Sequence, residues 1–172
     1  MTDISTYAAA IERTALAALA IAAILCAAAA TATAAGEMPL QPPPWKISLA
    51  GPWRFALDAD DKGVGEKWFA RRLDDTVTLP GTTDENHKGT LKDERCIDRL
   101  SRVWYWKGPA WYQKDVTIPE AWKGKHVTLL LERTKNTRVW VDETFCGWDD
   151  TLSAMQVFDV TGAMTPGKHT VT

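Results

Sequence analysis

Apolar and polar residues alternate with period two along much of this chain, in short runs separated by turn residues. After Gly51-Pro52, the apolar side chains of Trp53, Phe55 and Leu57 alternate with Arg54 and Ala56, which predicts a strand over residues 49–57. Residues 58–67, with Asp58, Asp60, Asp61, Gly63 and Gly65, read as a turn region. Thr76-Val77-Thr78-Leu79 predicts a short strand closed by Pro80. Residues 110–118 alternate, with Tyr112, Lys114, Val116 and Ile118 on one side, and residues 120–125 form a turn. In the strand over 126–132, Val127, Leu129 and Leu131 face one way, and Leu130 on the other face implies cover there too. The strand over 138–142 puts Val139 and Val141 inward and Trp140 outward, or the reverse. A strand over 156–160, a turn over 161–167 with Pro166-Gly167, and a final strand over 168–172 that the chain end cuts off complete the pattern. Short strands at this spacing predict an all-β fold, an antiparallel β-sandwich with jelly-roll topology.

Two regions break the alternation. Residues 15–30 are a nearly unbroken run of Ala, Leu and Ile without a charge, followed by the small residues Thr31-Ala32-Thr33-Ala34-Ala35-Gly36. This predicts a secretory signal peptide over 1–35, cleaved near Ala34 or Ala35. The run is shorter than the roughly 20 apolar residues of a membrane span, and Ile24-Leu25 before Cys26 fits a lipoprotein site poorly. The protein is therefore expected to be exported, to the periplasm or the outside of the cell. A Pro-rich linker over 36–44 precedes the domain, which is expected to occupy 45–172 as a C-terminally truncated fragment. The second break is residues 81–107, polar, charged and long for a connection inside a compact domain, which points to an ordered functional loop.

Composition narrows the partners. The formal net charge is −2 and no block of like charge occurs, which argues against nucleic acid. Cys96 and Cys146 could pair in an exported chain, but neither has a neighbour at zinc-ligand spacing. Taking Asp58 as position 1 of an EF-hand loop puts Lys62 at position 5 and Phe69 at position 12, so the calcium reading fails. No metal site and no cofactor is assigned. Nine tryptophans are many for this length. Most should be core and corner residues, and one to three could act as platforms for sugar rings.

Several motifs occur together in a recognisable order. They are Gly51-Pro52-Trp53-Arg54-Phe55, Thr78-Leu79-Pro80-Gly81-Thr82, Gly108 through Trp111-Tyr112-Gln113-Lys114, Ile118-Pro119 with Trp122-Lys123-Gly124-Lys125, Val139-Trp140-Val141-Asp142, and Phe158-Asp159-Val160-Thr161 with Pro166-Gly167-Lys168-His169. In this order they resemble the N-terminal sugar-binding domain of family-2 glycoside hydrolases, the β-galactosidase, β-glucuronidase and β-mannosidase group, from Leu49 to Thr172. Two departures stand out. Glu143 follows Asp142 where the family has a turn glycine, suggesting a longer turn through Glu143-Thr144, and His169 replaces a closing Asn.

The resemblance implies a parent enzyme that cleaves O-glycosyl bonds with retention, using two glutamates of a later barrel domain. No catalytic residue is assigned in this chain. The expected role is non-catalytic: binding carbohydrate and shaping the pocket of the missing C-terminal domains, with a homo-oligomer left open. The alternative is a freestanding carbohydrate-binding module. An esterase is not supported, because Ser101 and Ser153 lack a nucleophile-elbow context. In the family a loop of this domain can reach the substrate pocket, so Asp84, Asn86 and His87 are candidates for sugar hydroxyls and Trp104 and Trp106 for flanking a ring. Trp111 and Trp140 read as structural.

Overall fold

The computed structural model describes residues 45–92 and 102–172. The expected leader, the linker and Cys96 lie outside the described residues, so the cleavage site and the Cys96–Cys146 pairing do too.

The described chain is all-β. Ten strands occur: β1 (Gly51–Leu57), β2 (Asp75–Leu79), β3 (Thr90–Leu91), β4 (Trp104–Tyr105), β5 (Ala110–Ile118), β6 (Thr128–Leu131), β7 (Thr137–Val141), β8 (Thr144–Asp149), β9 (Gln156–Asp159) and β10 (Gly167–Val171). Two single 3-10 turns, Trp68–Ala70 and Glu120–Trp122, are the only helical elements among the described residues. Six strands form one antiparallel sheet in the order β2-β1-β5-β10-β7-β8, and β6 and β9 pair separately, as do β3 and β4.

The inner face of the large sheet carries Trp53, Phe55, Val77, Val116, Ile118, Val139, Val141 and Val171, and Leu129 of β6 and Phe158 of β9 pack on it. This buried layer is what the period-two pattern encodes, because alternate residues of each strand point the same way. Phe55 is fully buried, its ring edge-on to Tyr112 at 5.0 Å between centroids. On the β6–β9 pair, Leu130 lies opposite Val157 on the outer side, and they are 48% and 54% exposed. The cover expected over Leu130 is thus absent among the described residues; only one side of this two-stranded layer meets the core.

The large sheet is covered on its outer face as well, which resolves the orientation of Trp140. Val139 and Val141 face the main core, yet Trp140 is equally buried, in a second cluster with Trp111 and Leu73. Trp140 stacks on Phe69 at 5.2 Å and on Trp111 at 5.4 Å, so both tryptophans are structural. The cover is the segment after β1. Asp58, 2% exposed, accepts hydrogen bonds from the backbone N–H of Lys62 (2.8 Å) and Gly63 (2.7 Å) and from the Trp111 indole (3.0 Å). Burial opposes its charge, but these donors outweigh it and hold its carboxyl below the usual range. The aspartate that opens the failed calcium pattern is thus a turn anchor. Among the described residues no cluster of three His, Cys, Asp or Glu could hold a metal ion.

Gln113, also buried, completes the cover. Its Oε1 accepts from the Leu73 N–H (3.1 Å), and its Nε2 donates to the carbonyls of Trp68 (3.0 Å) and Arg71 (2.8 Å). One side chain on β5 therefore satisfies three backbone groups of the covering segment.

Candidate functional site

The 81–107 loop starts where β2 ends and is anchored there by its own side chains. Asn86 Oδ1 accepts from the Thr78 N–H (2.7 Å), and Nδ2 donates to the carbonyls of Thr78 (3.1 Å) and Thr82 (2.9 Å). An amide has two N–H donors, and both are used here. Thr82 and Glu85 form a reciprocal pair: the Glu85 carboxylate accepts from the Thr82 N–H (2.7 Å), and the Thr82 hydroxyl accepts from the Glu85 N–H (3.1 Å). This is the capping-box geometry, closing a single turn instead of a helix. Lys88 extends to Asp75 on β2 (2.6 Å), its amine lowering the Asp75 pKa.

The second half of the loop folds back on the first. β3 pairs with β4, Thr90 opposite Tyr105 and Leu91 opposite Trp104, so the stretch read as an ordered loop contains a short antiparallel pair. Asp84 Oδ1 accepts from the Trp104 N–H (2.7 Å), and the His87 and Trp104 rings lie 5.7 Å apart. Asp84, Asn86, His87 and Trp104 thus share one corner. Asn86 is the anchor, Asp84 the link between the two halves, and His87 is exposed beside the half-buried Trp104 ring. Trp106 stands apart: its indole donates to the carbonyls of Gly108 (3.0 Å) and Pro109 (3.2 Å), and its ring lies over Gly108.

A second site lies on the outer face of the large sheet and was not singled out from the sequence. A shallow depression of about 330 Å³ is lined by Arg54, Gln113, Asp115 and Thr170 from three strands, by Phe69 to Arg72 of the covering segment, and by the β7–β8 turn residues Asp142 and Glu143. Register explains the grouping: Arg54 lies opposite Gln113, and Asp115 opposite Thr170. Arg54 holds Asp115 through two hydrogen bonds of 2.7 and 2.6 Å, and Thr170 donates a third of 3.0 Å. Chiefly through Arg54, the Asp115 carboxyl is pulled down to about 2.

The β7–β8 turn corrects one expectation. Val141 lies opposite Thr144, so the loop is two residues, Asp142-Glu143, not longer. The left-handed conformation is taken by Asp142 (φ 53°), not by the residue after it. Asp tolerates that region better than most side chains, and here its carboxylate is fixed by the Thr170 N–H (2.8 Å) and by His169 Nδ1 (2.8 Å). His169, the other departure from the pattern, is its partner.

Comparison with known proteins accords with this geometry. The model of the family "Glycosyl hydrolases family 2, sugar binding domain" matches residues 47–172. A Beta-glucuronidase of Paenibacillus borealis is 28% identical over 95 residues, which is 55% of this chain and 14% of that protein. Among solved structures, an uncultured Clostridium sp. Beta-glucuronidase matches 73% of the chain with a TM-score of 0.58 at 20% identity, over 21% of its own length. A Lactobacillus rhamnosus Beta-glucuronidase matches the same share with a TM-score of 0.58 at 18% identity, over 20% of its length. At such identity the structural likeness speaks for the fold alone. The chain spans about one seventh of the curated relative and about a fifth of these structures. By the family match over most of its length, the chain belongs to family 2 of the glycosyl hydrolases, as the sugar-binding domain of that family.

Proposed function

We propose that this chain is the non-catalytic, substrate-shaping domain of a longer, exported glycoside hydrolase that cleaves β-linked sugars with retention. The observation that carries the reading is the family match over residues 47–172 in a chain spanning only 14% of its β-glucuronidase relative. The relatives this chain matches are named β-glucuronidases, so of the family's galactoside, glucuronide and mannoside substrates a terminal β-glucuronide is the first to test. The six-plus-two strand arrangement supports jelly-roll connectivity, and the leader-like residues 1–35 support export.

Within this reading the 81–107 corner faces the substrate pocket of the later domains. His87 and Trp104 offer a hydrogen-bonding edge and an apolar face to a terminal sugar, while Asn86 and Asp84 hold them in place. A sugar needs both kinds of surface, because its hydroxyls require donors and acceptors and its C–H faces pack on aromatic rings. The direct test is the coding sequence past Thr172. Continuation into strand–helix repeats with two glutamates at strand ends is expected; a stop within a few codons would overturn the enzyme reading.

A further inference from the structure

The outer face of the large sheet carries more than the depression already described. β8 is its edge strand, and its pairing with β7 shifts register: Val139 lies opposite Gly147, but Trp140 opposite Phe145. Cys146 is therefore an extra residue, a β-bulge, with its side chain packed against the main core. Gly147 adopts φ 136°, a conformation open to glycine. The consequence is geometric. In a regular strand, residues three apart point to opposite faces. With one bulged residue between them, Phe145 and Trp148 share a face. Their cross-strand partners, Trp140 and Arg138, identify it as the outer one.

Phe145 and Trp148 are large and exposed, 53% and 61%. Phe145 stands 5.3 Å from Trp140, and Trp140 stacks on Phe69, which lines the depression. An aromatic strip thus runs from the edge strand to the polar hollow. Charged side chains of both signs lie along it. Arg54 is tied to Asp115, and Asp142 to His169. Arg71, Arg72 and Arg138 are in no ion pair among the described residues, and neither is Glu143. Arg71 lies over the Trp68 ring at 4.4 Å and Arg72 acts electrostatically on Asp115, so with Arg138 this face presents three guanidinium groups outside its ion pairs.

We propose that this face is a second sugar-binding surface, distinct from the 81–107 corner, and that it takes an acidic oligosaccharide. Pyranose C–H faces stack on Trp148 and Phe145, and uronate carboxylates meet the guanidinium groups of Arg71, Arg72 and Arg138, which present paired donors to a carboxylate. A single-stranded nucleic acid also combines rings with negative charge. The saccharide is favoured because the chain belongs to a sugar-binding family. The proposal is independent of any catalytic activity of a longer chain.

The test is a titration of the isotopically labelled 172-residue chain with trigalacturonate, with cellotriose and with a short oligo(dT), read by amide and indole N–H shifts. Saturable shifts at the Trp148 indole and Gly147 amide are expected with trigalacturonate, at least tenfold tighter than with cellotriose and weakened by added salt. Trp148→Ala and Arg72→Gln, both at exposed positions, are each expected to weaken binding about tenfold (~1.4 kcal/mol). If Trp148→Ala does not fold, Arg72→Gln carries the test. Absence of saturable shifts, equal affinity for cellotriose, tighter binding of oligo(dT), or unchanged affinity in a folded variant would overturn the proposal.

Discussion

His169 Nδ1 lies 2.8 Å from the Asp142 carboxylate, while its Nε2 lies 2.7 Å from the Thr165 carbonyl oxygen. Both partners are acceptors, so both ring nitrogens must donate, which only the protonated imidazole can do. The Asp142 hydrogen bond accordingly raises the His169 pKa above its ordinary 6.5; burial opposes this, and the Thr165 carbonyl adds to it. For Asp142, burial is the largest influence and raises the pKa, but His169 and the Thr170 N–H together bring it below 3.8. The pair ties the β7–β8 turn to the start of β10.

This clasp predicts a stability that depends on pH. The contribution of His169 is present in full below pH 6.5 and is lost as pH rises through its folded value. That of Asp142 is present above pH 3.8 and is lost as pH falls through its folded value. The clasp is thus complete between pH 3.8 and 6.5. Because the Asp142 side chain is 51% exposed, solvent screening limits the effect to about 1 kcal/mol. Thermal midpoints should fall from about pH 6 to about pH 9, and His169→Gln should flatten that fall. An equal fall in the variant would show that another group titrates.

Gln113→Ala should cost about 2–4 kcal/mol, because it strands the Leu73 N–H and the Trp68 and Arg71 carbonyls in a buried place. Denaturant unfolding measures the loss. The same variant should loosen residues 68–73, seen as faster hydrogen exchange there than in β1.

Asn86→Ala removes two hydrogen bonds between the loop and β2, both to Thr78, and one within the loop, to the Thr82 carbonyl. Since the site is only part-buried, global stability should drop by about 1 kcal/mol, while limited proteolysis within 82–92 should accelerate several-fold. Unchanged cleavage would mean that the Thr82–Glu85 pair suffices to hold the turn.

Gly147→Ala forces a Cβ onto φ 136° and to 3.4 Å from the Phe158 ring, so it should cost roughly 1–3 kcal/mol. The nuclear Overhauser contacts placing Phe145 against Trp140 should weaken with it. If they persist, the bulge is held by Cys146 and not by the glycine.

Most of the strands were legible because one buried face writes itself into the sequence with period two, as in Trp53–Phe55 and Val139–Val141. The sites were less legible, for physical reasons. β8 does not stand out because the bulge at Cys146–Gly147 breaks its period, leaving Phe145 and Trp148 three apart on one face. Trp140 had two readings because both faces of the large sheet are covered. The depression gathers Arg54, Asp115, Asp142 and Thr170 from distant stretches, and only strand register brings them together. Asp84, Asn86 and His87 were visible as polar loop residues, but nothing in the sequence separates the anchor, Asn86, from the exposed His87.

The central claim is that this domain serves a retaining β-glycosidase. The most direct measurement is hydrolysis of 4-nitrophenyl β-D-glucuronide by the complete product of the gene, with the anomeric configuration of the released sugar followed by NMR. The account predicts turnover with β product formed first, and a KM raised about tenfold by His87→Ala with kcat little changed, as for a residue that binds ground and transition states alike. A folded complete product inert toward β-glucuronides and other β-glycosides, or one that inverts configuration, would contradict it.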